Sequence, residues 1–169
     1  MKKPIFGCGW KMYLSDEEAF AHARALKSKV GKEDQVELYV LPSFTAIRGV
    51  KKILEDTDIN VGAQNMCWDE KGAYTGEVSV RSLKEIGVRY VEIGHSERRK
   101  MFGETDQTIN KKLKKALGYQ MIPVFCIGEK ADEKDQGLTE QVMQTQITIA
   151  LQGIAYQDAK TIIYAYEPV

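Results

Sequence analysis

Six short runs rich in β-branched and aromatic residues recur along the chain, and a longer amphipathic stretch bounded by turn residues lies between nearly every pair. That rhythm restricts the chain to a βαβα order. The runs are Pro4 to Gly9, Val36 to Leu41, Asn60 to Ala63, Arg89 to Ile93, Met121 to Ile127 and Thr161 to Tyr166. Segments such as Val88-Arg-Tyr-Val-Glu-Ile93 and Thr161-Ile-Ile-Tyr-Ala-Tyr166 suit parallel strands covered by helices, because both faces of such strands are largely buried.

Between the strands, Ser15-Asp-Glu-Glu18 has the form of a capping box. The helix it opens sets Ala19, Phe20, Ala23 and Leu26 at core-facing spacing and runs to about Val30, where Gly31 stops it. Phe44 to Glu55, Val80 to Ile86, Thr108 to Leu117 and Thr139 to Leu151 supply the later helices, with Gly87 and Gly118 as stop signals after the third and fourth. The lysines of Lys111-Lys-Leu-Lys-Lys115 read as the solvated face and C-terminal end of a helix in preference to a nucleic-acid patch. No repeat, low-complexity tract or linker interrupts the pattern, which predicts one domain over residues 1–169.

Periodicity alone does not separate a closed (β/α)8 barrel from an open doubly wound sheet. Glycine placement argues against the second. The first strand exit, Gly7-Cys-Gly9-Trp-Lys-Met-Tyr13, lacks the third glycine of a dinucleotide fingerprint and reaches its helix only at Ser15.

Lys plus Arg and Asp plus Glu are equal at 24 each, so no net field draws the protein to nucleic acid or an anionic membrane. A ligand must therefore be held by a local site. No apolar stretch approaches a membrane span, and no signal-length run follows the two N-terminal lysines, so a cytoplasmic location is expected. Cys8, Cys67 and Cys126 are far apart, with neither a Cys-x-x-Cys spacing nor nearby histidines, and read as three reduced thiols with no metal. Cys126, inside an apolar run, is expected to be a small buried hydrophobe.

In parallel α/β folds the loops leaving the C-terminal ends of the strands build the site. Lys11 leaves the first strand, Gln64 and Asn65 the third, His95 and Glu97 the fourth, Glu129 the fifth and Glu167 the sixth. In Gly94-His-Ser-Glu-Arg-Arg99 the glycine lets the backbone turn, and Ser96 is placed to cap a short helix opened by Glu97. A histidine at a helix N-terminus is pushed toward its neutral form, in which it donates a hydrogen bond to a carbonyl oxygen. The competing reading is a packed loop histidine; the other histidine, His22, falls on a helix surface. Glu167 ends an apolar strand, and Pro168 sets the backbone direction after it. A carboxylate beside apolar walls suits proton abstraction from carbon. Pairing to an arginine such as Arg99 is the competing role. Lys11, directed into a strand-exit cleft, calls for an anion, against the reading of a surface lysine.

Gly94-His-Ser-Glu-Arg-Arg-Lys-Met-Phe-Gly-Glu104, Gly62-Ala-Gln-Asn65, Gly72-Ala-Tyr-Thr-Gly-Glu77, Cys126-Ile-Gly-Glu129 and Ala165-Tyr-Glu-Pro-Val169 resemble the triosephosphate isomerase family, in family order and spacing. The resemblance covers the whole chain. It implies a (β/α)8 TIM barrel and the interconversion of glyceraldehyde 3-phosphate and dihydroxyacetone phosphate through an enediolate, a step of glycolysis and gluconeogenesis. By motif, Glu167 is the general base, His95 the neutral electrophile, Lys11 the cation near the substrate and Glu97 a supporting carboxylate. The pairing of a glutamate base with a helix-tuned neutral histidine is the known pattern of this family. The resemblance also implies a homodimer in which Thr75 and its loop, Asp69 to Glu77, enter a neighbouring subunit near Lys11, with Gln64, Asn65 and Glu77 at the interface. No cofactor or metal is implied.

The chain departs from the family pattern in two places. Where the family usually reads Gly-Asn-Trp-Lys-Met-Asn, this chain reads Cys8-Gly-Trp-Lys-Met-Tyr13, so an asparagine near the substrate becomes Gly9. Met66-Cys-Trp68 is also less usual, and relatives that isomerise four-carbon ketose phosphates such as erythrulose phosphates look similar in both places. That substrate is the alternative to the triose, and a non-catalytic, self-associating fragment is the alternative of another class. The second departure lies at Val169, beyond which the family continues into a mobile lid and two more strands, in barrels of ~250 residues. The expectation is therefore the first six βα units, with the C-terminal part absent and strands one and six left as edges.

Overall fold

The computed structural model describes residues 3–167. Its six strands are β1 (Ile5–Gly9), β2 (Glu37–Leu41), β3 (Ile59–Ala63), β4 (Tyr90–Ile93), β5 (Ile122–Ile127) and β6 (Ile163–Tyr166). They form one sheet in the order β1-β2-β3-β4-β5-β6, every neighbouring pair parallel. A doubly wound sheet reverses its strand order at a switch point, whereas this one always advances in the same direction, as a barrel wall does. The sheet curls into a half-barrel, and among the described residues β1 and β6 are its edges. Both edges expose apolar side chains, Phe6 on one and Tyr164 on the other.

The helices are α1 (Asp16–Val30), α2 (Ile47–Ile53), α3 (Val80–Ile86), α4 (Ser96–Phe102), α5 (Asp106–Gly118), α6 (Ala131–Asp135), α7 (Thr139–Ala150) and α8 (Tyr156–Ala159). The Ser15–Glu18 box closes in both directions: Glu18 accepts the Ser15 N–H at 2.9 Å, and the Ser15 hydroxyl accepts the Glu18 N–H. Gly31 and Gly87 terminate α1 and α3. Several boundaries differ from the sequence reading. α2 begins only at Ile47, because Phe44 to Ala46 are used in a turn. α5 begins earlier, since Thr105 and Thr108 make their own capping box, and Gly118 is its last residue. The short α6 and α8 carry too few residues to show an apolar period.

Strand alternation divides the apolar residues into two cores. On the convex side Val40, Val61, Val91, Ile93 and Phe125 meet Ala19, Val50, Leu83, Ile109 and Leu113 of the helices. Fully burying a side chain of this kind stabilises the fold by about 1.5–3 kcal/mol. On the concave side Leu41, Tyr90 and Val124 gather with Tyr39, Ile163 and Ala165. There Tyr39 stacks on Tyr90 with ring centroids 4.4 Å apart.

The lysine run on α5 requires a correction. Lys111 and Lys114 are exposed, but Lys112 is buried. Its neighbour Leu113 faces the sheet, and a helix advances only about 100° per residue, so both side chains reach the interior. The buried ammonium is satisfied by the Glu104 carboxylate and by Asn65, whose Oδ1 lies 2.7 Å from Nζ. All three cysteines are free thiols, Cys67 and Cys126 being buried and Cys8 exposed. Among the described residues no helix is long and apolar enough to cross a membrane.

Candidate active site

Gly94 makes the turn that ends β4. Its φ of +80° belongs to the left-handed region, and a Cβ there would stand 2.9 Å from Ile109 Cδ1. Both peptide groups of this turn are clamped: Gly94 N–H donates to Glu104 Oε2 at 3.1 Å, and Arg99 Nε donates to the Gly94 carbonyl at 2.7 Å. Arg99 continues to Asp106, 2.6 Å away, so it is not the partner of Glu167.

His95 follows as the N-cap of α4. It performs the capping expected of Ser96: Nδ1 accepts the Glu97 N–H at 3.2 Å, and Ser96 becomes the first helical residue. A neutral imidazole that accepts at Nδ1 carries its proton on Nε2. Nε2 lies 3.3 Å from Glu167 Oε2 and 2.5 Å from Lys11 Nζ. An ammonium cannot donate to a protonated Nε2, so one neutral tautomer does not satisfy both of these neighbours and the backbone bond. The backbone bond is anchored in the first turn of α4, whereas Lys11 stands on a flexible chain. We therefore assign the proton to Nε2, facing Glu167. The ring is buried, yet its neighbours are ionisable groups from three strand exits, unlike those of a histidine packed for structure alone.

Lys11 has φ +53°, an uncommon state for a residue with a side chain. The Gln64 amide holds it there, donating from Nε2 to the carbonyls of Lys11 and Leu41, each at 2.9 Å. The ammonium turns inward to His95 and to Glu97 Oε1 at 3.5 Å, and so does not lie as a surface lysine. Backbone strain held by a specific side chain is characteristic of functional positions.

Glu167 is placed by β6, its N–H donating to the Ile127 carbonyl at 2.8 Å. Its side chain is half-exposed, more open than a carboxylate between apolar walls, and Ser96 Oγ approaches Oε2 at 3.5 Å. Pro168 lies outside the described residues. The preceding Tyr166 donates its hydroxyl to both oxygens of Glu129, at 3.0 and 3.1 Å, and Thr139 donates to the same carboxylate. Glu129 thus anchors the strand exit and is buried away from the ring of His95.

The sequence reading missed three groups around this cluster. Glu104 and Lys112 form the buried pair beneath Gly94, with Asn65 as a third member. Glu92 projects into the concave interior, and the signal for it was available: an acidic residue in a strand expected to be buried on both faces. The loop Asp69–Glu77 stands out from the body with Thr75 and Glu77 exposed, braced by Tyr74 donating to Asp69 at 2.9 Å. Gln64 and Asn65 at its base turn their side chains inward. His22 is exposed on α1, with its ring edge-on to Trp10.

A family model described as Triosephosphate isomerase matches residues 4–169. The chain belongs to the triosephosphate isomerase family. Proteins named triosephosphate isomerase from Dictyoglomus turgidum and Thermoanaerobacter pseudethanolicus are each 44% identical to it over 169 residues. One from Clostridium perfringens is 43% identical over the same span. In each case the match covers 100% of this chain and 68% of the relative. Family membership thus agrees with the half-barrel and with the motif residues at its strand exits. Neither the four-carbon substrate nor the non-catalytic reading gains support from these triosephosphate isomerase relatives.

Proposed function

We propose that this chain carries the catalytic residues of an isomerase that interconverts glyceraldehyde 3-phosphate and dihydroxyacetone phosphate. The observation that carries this reading is the convergence of Glu167, His95 and Lys11 from three different strands, with His95 Nε2 3.3 Å from Glu167 Oε2. Glu167 takes the proton from one carbon and returns it to the next. The Nε2–H of neutral His95 hydrogen-bonds the substrate oxygens as charge develops on them. Lys11 supplies the positive charge that an anionic phosphate ester and an enediolate both need, and Glu97 holds the ammonium in place. No cofactor takes part in this scheme.

The same reading includes a cytoplasmic homodimer. Thr75 and Glu77 extend the exposed loop, Gln64 and Asn65 support its base, and large apolar side chains are exposed at Met12 and Tyr13, just after Lys11, and at Met101 and Phe102 on α4. Steady-state assay with glyceraldehyde 3-phosphate and with erythrulose phosphates tests the activity. Turnover of the triose is expected to be faster, and faster turnover of the four-carbon substrate would overturn the assignment. Sedimentation of the protein as expressed from its own gene tests the dimer.

A further inference from the structure

Gly9 and Glu92 lie on strands that are not neighbours. β2 and β3 separate β1 from β4, so a contact between those two strands crosses the concave interior. Oε1 of Glu92 lies 3.9 Å from the position a Cβ on Gly9 would take, and no other atom beyond the adjacent residues comes within 4 Å of that point. The strand alternation that turns Tyr90 inward does the same for Glu92, three residues before His95. Gly9 itself is two residues before Lys11. The Glu92 carboxyl therefore sits directly beneath the catalytic cluster, beside the open space that the missing side chain of Gly9 leaves.

Among the described residues the Glu92 side chain takes part in no hydrogen bond or ion pair, although it is half-buried. The groups facing it are His95 and Glu97 from the β4 exit, Lys11 from the β1 exit and Glu167 from the β6 exit. Tyr39 on β2 and Cys126 on β5 line the same interior. Burial holds the Glu92 carboxyl above the ordinary carboxylate range; His95 and Lys11 oppose this, and Glu167 and Glu97 add to it. Burial also pushes the Tyr39 hydroxyl up to about 12 and raises the Cys126 thiol. A protonated carboxyl both donates and accepts, and it places no negative charge under an anionic substrate. Without a protein partner, such a group is left to solvent or to a ligand for its hydrogen bonds.

We propose that Glu92 is a substrate-contacting residue that hydrogen-bonds an oxygen at the hydroxyl-bearing end of the sugar phosphate, from the barrel interior, in the space beside Gly9. The proposal rests on the isomerase reading above. It differs from a packing role, which an apolar residue of similar size would fill as well.

The test compares wild type, Glu92→Gln and Glu92→Val in the isomerase assay. Calorimetric titration of glycerol 3-phosphate, an unreactive three-carbon hydroxyl phosphate, and of inorganic phosphate runs beside it. Loss of one hydrogen bond to a neutral group predicts that Glu92→Val lowers kcat/KM about fivefold or more and weakens glycerol 3-phosphate by a similar factor. Its affinity for inorganic phosphate is expected to be unchanged. Glu92→Gln, whose amide still donates and accepts, is expected to keep both values close to those of wild type. It should also lose an inflection in the pH profile of kcat/KM that wild type shows above the ordinary carboxylate range. Wild-type values for Glu92→Val in both measurements would overturn the proposal, as would a Glu92→Gln profile superimposable on that of wild type. Should Glu92→Val fail to fold by circular dichroism, the Glu92→Gln profile decides. Wild type that binds glycerol 3-phosphate without turning over triose phosphates would sink the isomerase reading, and the affinity series would then judge the Glu92 contact by itself.

Discussion

Nδ1 of His95 accepts the backbone N–H of Glu97 at 3.2 Å, and this one bond decides which ring nitrogen faces Glu167. In the proposed chemistry, cap and electrophile are the same side chain. The ring cannot turn over without leaving the Glu97 N–H, in the first turn of α4, unsatisfied, so its orientation is part of the secondary structure.

That arrangement makes the side chains of the cluster sensitive to length and shape. Glu167→Asp withdraws the carboxylate by about an ångström and is expected to lower kcat by roughly 100-fold or more, with KM nearly unchanged. His95→Gln should slow turnover as well, because an amide neither caps α4 in the same way nor presents an N–H at the same point. Exchange of solvent deuterium into the substrate measures the proton-transfer step directly; a Glu167→Asp rate within twofold of wild type would assign the base elsewhere.

Gln64 holds the strained Lys11 backbone without touching the ring of His95. Gln64→Ala releases both carbonyls it binds and is expected to cut kcat/KM by about tenfold, the scale of a misplaced catalytic group, while Lys11 itself is intact. The loss should be larger for Lys11→Met. A crystal structure of Gln64→Ala with Lys11 unmoved and activity unchanged would show that the strain is incidental.

Lys112 and Glu104 are buried together, and removing Lys112 leaves the Glu104 carboxylate with only the more distant Arg98, whose Nε lies 3.9 Å from Oε1, as a charged partner. Lys112→Met is therefore expected to destabilise the fold by about 3–5 kcal/mol in urea unfolding, whereas the double replacement with Glu104→Met should recover much of that loss. Because Glu104 also holds Gly94 N–H, the double variant is expected to be stable yet impaired in turnover. Stability lost equally in single and double variants would mean that the two side chains act independently.

Glu92 predicts a pH dependence of stability. Its pKa in the folded protein is raised by burial above the unfolded value, so its contribution is fully present below the unfolded pKa and is lost as pH rises through the folded one. Glu92→Gln removes that loss. Its Tm should match wild type in acid and exceed it at higher pH, by about 2–4 °C for each ~1 kcal/mol in a domain of this size. A constant difference between the two proteins across the whole range would contradict the assignment.

The strand order, the longer helices, the Ser15 box, the Gly31 and Gly87 stops, and the candidates His95, Lys11 and Glu167 all followed from the sequence, because each depends on residues adjacent in the chain or one helical turn apart. The closed direction of the sheet did not. It appears only when every βα unit lays its strand on the same side of the one before, a long-range choice that local periodicity does not encode. For the same reason Lys112 looked like one of a solvated run until the helix's rotation turned it inward onto Glu104, forty-seven residues from its other partner Asn65. His95 as its own cap, Gln64 as the brace of Lys11 and Glu92 beneath the cluster were likewise decided only in three dimensions. A side chain's spacing along the chain tells what it can do, but its partner, here a backbone N–H, a carbonyl or the gap beside Gly9, is chosen by the packing of elements far apart in sequence.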